Sequence, residues 1–325
     1  MKLHLTFCMI FICMGIDHTI AQQLSPEEIT SITSAIPPLI RKHYVIEDQK
    51  EAIASGIEKK IKAGAYHAYS NPDTLASKLS HDLETISQDG HLYVKHLTSG
   101  ASSQKVDWES WEKEERRLEK VQNFGFTEVE ILPGNTGYIR IVEFMHPQRS
   151  MPTAVAAMKM VENTDALIID LRGNGGGYPG IMEYVLNHYF DEGPTLISTT
   201  FYAEIDKNPY TQYSSDLVYG KPRAGTPLYI LTDHKTGSAA EFFTYTLQAF
   251  GKARVVGQPT AGAAHMNSYY PLAHNFRISI STAVPVNPIT KSNWEREGVQ
   301  PDYVSNPKDA RQKALELILQ DQQVN

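Results

Sequence analysis

Apolar positions in the first part of the chain recur at helical spacing. Ile29, Ile32 and Ile36 form one set, Ile53, Ile57 and Ile61 a second, and Leu75, Leu79, Leu83 and Ile86 a third. Residues three and four apart share a helix face, so each set predicts one amphipathic helix. Ser25-Pro26-Glu27-Glu28 opens the first, with Ser as N-cap, Pro at the first helical position and Glu at the third. Asn71-Pro72-Asp73 punctuates the chain before the last. The spacing predicts a small helical domain of three helices over 22–90. Beyond it the period changes. Leu92 to Leu97 is a short strand candidate, and the charged stretch from Asp107 to Lys120 suits a solvated helix or a linker. Strands are then predicted over 136–142, 166–171, 228–232, 254–257 and 276–286, and helices over 151–162, 179–190 and 238–250. Strands separated by helices of that length need crossover connections, which predicts an α/β fold with a mainly parallel sheet.

Composition narrows the function. A net charge of -7 over 325 residues argues against a phosphate-binding surface, so nucleic acid is not an expected partner. Residues 1–21 read as an export signal. Lys2 precedes a mostly apolar run from Leu3 to Ile16, and Thr19-Ile20-Ala21 offers a small-x-small cleavage site before Gln22. That run is shorter than the roughly 20 residues a bilayer requires, and Asp17 and His18 interrupt it, so no stable membrane anchor is expected after cleavage. The expected location is the periplasm or the extracellular space. Both cysteines, Cys8 and Cys13, fall inside the signal. The exported chain would then have no cysteine nucleophile, disulfide or thiolate metal site. No H-E-x-x-H or comparable spacing suggests a metal, and no cofactor is expected.

Two segments carry candidate chemistry. The strand 228–232 runs through Asp233-His234-Lys235-Thr236-Gly237 into a helix beginning at Ser238, whose apolar positions Ala239, Phe242, Phe243, Leu247 and Phe250 share a face. Backbone N–H groups at a helix start are unpaired and point at whatever binds there. A hydroxyl in that place can attack a carbonyl while the Ala239 N–H holds the resulting oxyanion. Ser238-x-x-Glu241 is equally a capping box, and simple capping stays open on this segment alone. The second segment is Asp170-Leu171-Arg172-Gly173-Asn174-Gly175-Gly176-Gly177, a glycine loop after a buried strand. Its spacing fits neither a dinucleotide fingerprint nor a Walker loop, which leaves a tight turn or a second oxyanion donor.

Taken together with further motifs, these segments resemble the tail-specific protease superfamily. That group includes the C-terminal processing peptidases, the tricorn core and the interphotoreceptor retinoid-binding protein modules. Besides Asp170–Gly177 and Thr236–Glu241, the resemblance rests on Gly90-His91-Leu92, Asn123-Phe124-Gly125-Phe126, Leu132–Tyr138, Val256–Gly262, Asn287-Pro288, Asn293-Trp294-Glu295 and Gly298–Asp302. It implies a ClpP/crotonase-like peptidase domain over 91–325 and a peptide or protein substrate. It also implies roles: Ser238 as nucleophile, Gly176 and Ala239 as oxyanion donors. Processing peptidases use a lysine about 25 positions after the serine, where this chain has Ala263. The tricorn branch uses a histidine and a glutamate, and His91 and Glu295 stand at the matching places. Histidine titrates near neutrality, so His91 suits a base, and a carboxylate behind it would fix its tautomer. The serine that precedes the histidine in tricorn is Gly90 here.

Other residues fill lesser roles in this reading. Gly175, Gly177 and His265 are candidates to line the cleft, His234 is expected on a loop surface, and Asp170 and Arg172 are expected to hold a strand end together. About 40 residues separate His91 from the 136–142 strand, too few for a PDZ domain, so selection through a PDZ gate is not expected. The function expected is an exported serine peptidase working through an acyl-enzyme. The alternatives are an esterase with the same constellation, or a non-catalytic module binding a small lipophilic ligand.

Overall fold

The first helical set splits in two. A computed structural model, which describes residues 23–97, 108–190, 193–204, 208–216 and 218–324, gives α1 as Pro26–Ser34 and α2 as Ile36–His43. They part at Ala35, because Pro37 and Pro38, in the first turn of α2, have no N–H to donate back into α1. The N-cap of α1 is fully formed: Ser25 Oγ accepts Glu28 N–H at 3.2 Å, and Glu28 Oε2 accepts Ser25 N–H at 2.8 Å. Helix α3 (Glu47–Lys62) and α4 (Pro72–Ser87, capped by the Asn71 side chain) complete the helical layer. Four helices therefore stand where three were expected. The export segment predicted over 1–21 lies outside the described residues.

The remaining elements follow as β1 (Tyr93–His96), α5 (Trp108–Val121), β2 (Phe126–Leu132), β3 (Thr136–Ile141), α6 (Pro147–Met160) and β4 (Ala166–Asp170). Next come α7 (Pro179–Asn187), β5 (Leu196–Tyr202), β6 (Tyr210–Tyr213), β7 (Leu228–Thr232), α8 (Ala239–Ala249) and β8 (Arg254–Gly257). The chain ends with β9 (Met266–Pro271), β10 (Phe276–Val286), β11 (Tyr303–Val304) and α9 (Ala310–Val324).

The expected mainly parallel sheet is present, in the order β11-β8-β7-β4-β3-β2, with only β2 antiparallel to its neighbour. Strand β4 shows why its sequence is an unbroken apolar run. All five residues are buried, with Leu167 and Ile169 in the core shared with α6, α7 and α8, and Ala166 and Ile168 in the core covered by α9. A strand covered on both faces needs no polar alternation.

A second sheet, antiparallel throughout, has the order β1-β10-β5-β6, with β9 also on β10. Only β1 and β10 were expected. Strand β5 has polar residues at buried positions, Ser198 and Thr200, which erases the apolar alternation. The helical layer packs on this sheet and has no core of its own: its buried isoleucines and leucines continue into Val94, Phe276, Ile278 and Ile280. The first turns after β4 and β7 open at the same edge of the parallel sheet, the usual place for a site in such folds.

Candidate active site

The turn into α8 is unusual at one residue. Ser238 has φ 53° and ψ -118°, a left-handed backbone that a helix N-cap does not ordinarily adopt. Glu241 holds it there, accepting the Ser238 N–H at 2.8 Å. The hydroxyl half of the box is only approximate, since the Ser238 side chain lies toward the Glu241 amide without forming a cap hydrogen bond. The hydroxyl is therefore not consumed by capping. Glu241 is buried and accepts three further donors: the Thr260 hydroxyl at 2.5 Å, Gly262 N–H at 2.6 Å and Ala263 N–H at 3.0 Å. Burial outweighs these bonds and raises its pKa. The sequence reading noticed Glu241 only as half of a cap.

The glycine loop is stitched to this turn. Asp233 Oδ1 accepts Gly173 N–H at 3.0 Å, Thr236 Oγ1 donates to Leu171 O at 2.9 Å, and Gly237 N–H donates to Asn174 O at 2.9 Å. A Cβ at Gly176 would lie 2.8 Å from Ser238 Cβ and 2.9 Å from Ala239 N, so only glycine allows this approach. The oxyanion role implied for Gly176 meets an obstacle. Its N–H already donates to Asn174 Oδ1 at 2.8 Å. As expected, Asp170 ties the strand end, accepting from Tyr138 at 2.7 Å and Arg140 at 3.2 Å and pairing with Arg172.

A cavity of about 350 Å³ opens at this junction, walled by His91, Gly177, Ser238, Ala239 and His265 together with apolar Phe242 and Trp294. Two chain segments far apart in sequence thus bring an imidazole and the helix-start serine to the lining of one cavity. Gly177 is among the residues that line the cavity, and Gly175 and Gly176 are not among them; Gly175 is exposed beside open space. His234 is exposed, as expected of a loop residue.

The carboxylate arrangement differs from the expected one. Glu295 does not sit on His91: its Oε2 accepts Ala264 N–H at 2.8 Å and His265 N–H at 3.1 Å, and its Oε1 is buried without a partner. His91 Nδ1 is likewise buried and unpartnered. The histidine with carboxylates around it is His265. Its Nδ1 bonds Asp89 Oδ2 at 2.9 Å and lies 3.8 Å from Glu295 Oε2. Asp89 also accepts the Tyr44 hydroxyl at 2.9 Å and, through Oδ1, the His91 N–H at 2.8 Å. Asp89, two positions before His91, went unnoticed because an Asp-Gly pair reads as an ordinary turn.

These environments drive the two imidazoles apart. Burial lowers the His91 pKa, and the nearby Asp89 charge does not offset it. For His265 burial is again the largest influence and opposes charge, but the Asp89 bond with the Glu295 and Asp89 charges outweighs it, and the pKa rises. Asp89 is held down at about 2, its own burial being overcome by His265 and by further hydrogen bonds. Asp89, His265 and Glu295 place three potential ligand atoms within 4.8 Å of one another. The 2.9 Å bond from His265 Nδ1 to Asp89 Oδ2 makes these groups a proton-sharing cluster. Gly90 is exposed, and a Cβ there would meet only Ala263 Cβ, at 3.9 Å.

Comparison with known proteins agrees with this architecture. The family model for peptidase family S41 matches residues 135–305, and that for the N-terminal domain of the same family in eukaryotic IRBP matches 24–127. Carboxyl-terminal-processing peptidase 1, chloroplastic, of Arabidopsis thaliana is 31% identical over 193 residues, covering 59% of this chain and 36% of the relative. Carboxy-terminal processing protease CtpB of Bacillus subtilis (strain 168) is 28% identical over 180 residues, covering 53% and 35%. The chain thus spans little more than a third of the length of these relatives. Among solved structures, one from Parabacteroides merdae described as a candidate peptidase superposes with a TM-score of 0.64 at 18% identity, over 90% of this chain and 96% of that one. A lipoprotein from Streptococcus agalactiae does so with a TM-score of 0.59 at 18% identity, over 92% and 98%. Both show the shared fold.

Proposed function

Since the chain belongs to peptidase family S41, we propose that it is a serine peptidase that cleaves peptide bonds through an acyl-enzyme on Ser238. The observation that carries this reading is the strained Ser238 turn opening on the same cavity as an unpaired imidazole, His91. His91 Nε2 makes no hydrogen bond in the protein and is not sealed from solvent, so it is the ring atom free to take the Ser238 proton. A half-buried imidazole whose pKa is lowered is in the right protonation state for a base at neutral pH. As the hydroxyl attacks, charge develops on the substrate oxygen beside the start of α8, where the Ala239 N–H is unpaired. Gly177, which lines the cavity and whose N–H makes no hydrogen bond, is the better-placed second donor than Gly176. The apolar wall of Phe242 and Trp294 suits an uncharged substrate side chain.

The acyl-enzyme predicts covalent capture. A fluorophosphonate should label the wild-type chain at Ser238, and Ser238→Ala should lose both labelling and at least about 10³-fold of peptide hydrolysis while folding normally. Undiminished hydrolysis by that variant would reject the assignment. A cavity that only binds a lipophilic ligand would leave the serine unlabelled. We also place the protein outside the cytoplasm, on the apolar start of the sequence. Mass spectrometry of the exported protein should find Gln22 as its first residue.

A further inference from the structure

The cavity holds a second imidazole that the proposed reaction has not used. His265 spends Nδ1 on buried Asp89, with Glu295 close behind, while its Nε2 makes no hydrogen bond in the protein and is not sealed from solvent. His91, on the same cavity, has no carboxylate on its ring. Two like groups in one site with opposed surroundings are the usual arrangement for dividing acid from base. Resting on the serine-peptidase reading above, we infer that His265 is the general acid of the reaction, protonating the leaving amine, while His91 is the base for Ser238.

The proton accounting closes over one turnover. In acylation His91 Nε2 takes the Ser238 proton as the Oγ–C bond forms. The C–N bond then breaks with its electron pair passing to nitrogen, which receives the proton of His265 Nε2. The site is left with a protonated His91 and a neutral His265. In deacylation His265 takes a proton from the attacking water as the new C–O bond forms. The Oγ–C bond then breaks and Oγ recovers its proton from His91. Both histidines return to their starting states, and one water has been consumed per peptide bond. Asp89 is the positioning residue common to both. Its Oδ2 orients the His265 ring, and its Oδ1 holds the His91 backbone N–H.

The charged and titratable groups facing His265 are Asp89 before β1, Glu295 and Arg296 after β10, and His91. The carboxylates favour its protonated form, and Arg296 and burial oppose it. Amide hydrolysis should therefore fall on the acid side as His91 protonates and on the alkaline side as His265 loses its proton.

The test compares leaving groups on the full chain. A peptide amide cleaved by the wild-type protein, and the p-nitrophenyl ester of its acyl part, are followed in the pre-steady state so that acylation alone is read. A nitrophenolate leaves without a proton, so His265→Gln should slow acylation by the amide about 100-fold or more and by the ester less than about 5-fold. Fluorophosphonate labelling of that variant should stay near the wild-type rate. Equal losses for the two substrates, or no loss for the amide, would overturn the assignment. Should the variant misfold, the wild-type chain still decides: the alkaline limb must appear for the amide and be absent for the ester, and identical profiles reject the acid. A wild-type chain that neither labels nor turns over either substrate would instead remove the serine reading itself, and this acid with it.

Discussion

Ser238 is where a local conflict in the sequence becomes visible. A non-glycine residue at φ 53° and ψ -118° carries strain of about 1–3 kcal/mol. It persists because Glu241 and the glycine loop hold the turn from both sides. Stability and activity should therefore separate at this position. Glycine adopts such angles freely and alanine does not, so Ser238→Gly should be the more stable of the two inactive variants by about 1 kcal/mol in urea unfolding. Equal stability would mean the turn is not strained. The serine itself was legible as a helix start. Its backbone was not, because the glycine loop that helps to hold its φ lies far away in the sequence, at Gly176.

At the scale of elements, the site is a seam between the turns after β4 and β7. Gly176 is the point of closest approach. Its φ of 111° suits only glycine, and an added methyl would collide with Ser238 Cβ at 2.8 Å and Ala239 N at 2.9 Å. Gly176→Ala should push the loop off the start of α8 and lower peptide hydrolysis at least 100-fold, with fluorophosphonate labelling slowed in parallel. Unchanged labelling would show that the loop can yield without disturbing the nucleophile. Alternation of strands and helices announced these elements, and the parallel sheet follows from it. Strand β5 escaped notice because inward-facing Ser198 and Thr200 replace apolar residues with hydroxyls, and β6 and β9 because none of their residues is buried. A periodicity argument reads polarity, and here polar side chains are buried.

Across the whole molecule, the Asp89–His265 bond joins the end of the helical layer to the turn before β9. Its pH dependence follows from the shifts. The folded pKa of His265 is raised, so its contribution to stability is complete below the unfolded value of 6.5 and is lost as pH rises through the folded value. Asp89 is depressed to about 2, so its contribution is present above its ordinary 3.8 and is lost as pH falls toward 2. The thermal stability that wild type holds over His265→Gln should thus be largest between about pH 4 and 6.5 and shrink on the alkaline side. A difference that stayed constant from pH 6.5 into the alkaline range would mean the bond is not between charged partners.

The start of α1, the alternation of strands and helices from β3 to β8 apart from β5 and β6, and the glycine loop follow from the sequence alone, because period, caps and turn residues act over a few positions; the candidate nucleophile comes from those motifs taken together as a family resemblance. Which carboxylate serves which histidine does not. Asp89 and His265 are 176 positions apart, Glu295 reaches His265 and not His91, and Gly176 gives its amide to Asn174. Such pairings depend on where two sheets and a helical layer come to rest against one another. Only the packed core fixes that, and with it the opposite directions in which the two imidazoles are shifted.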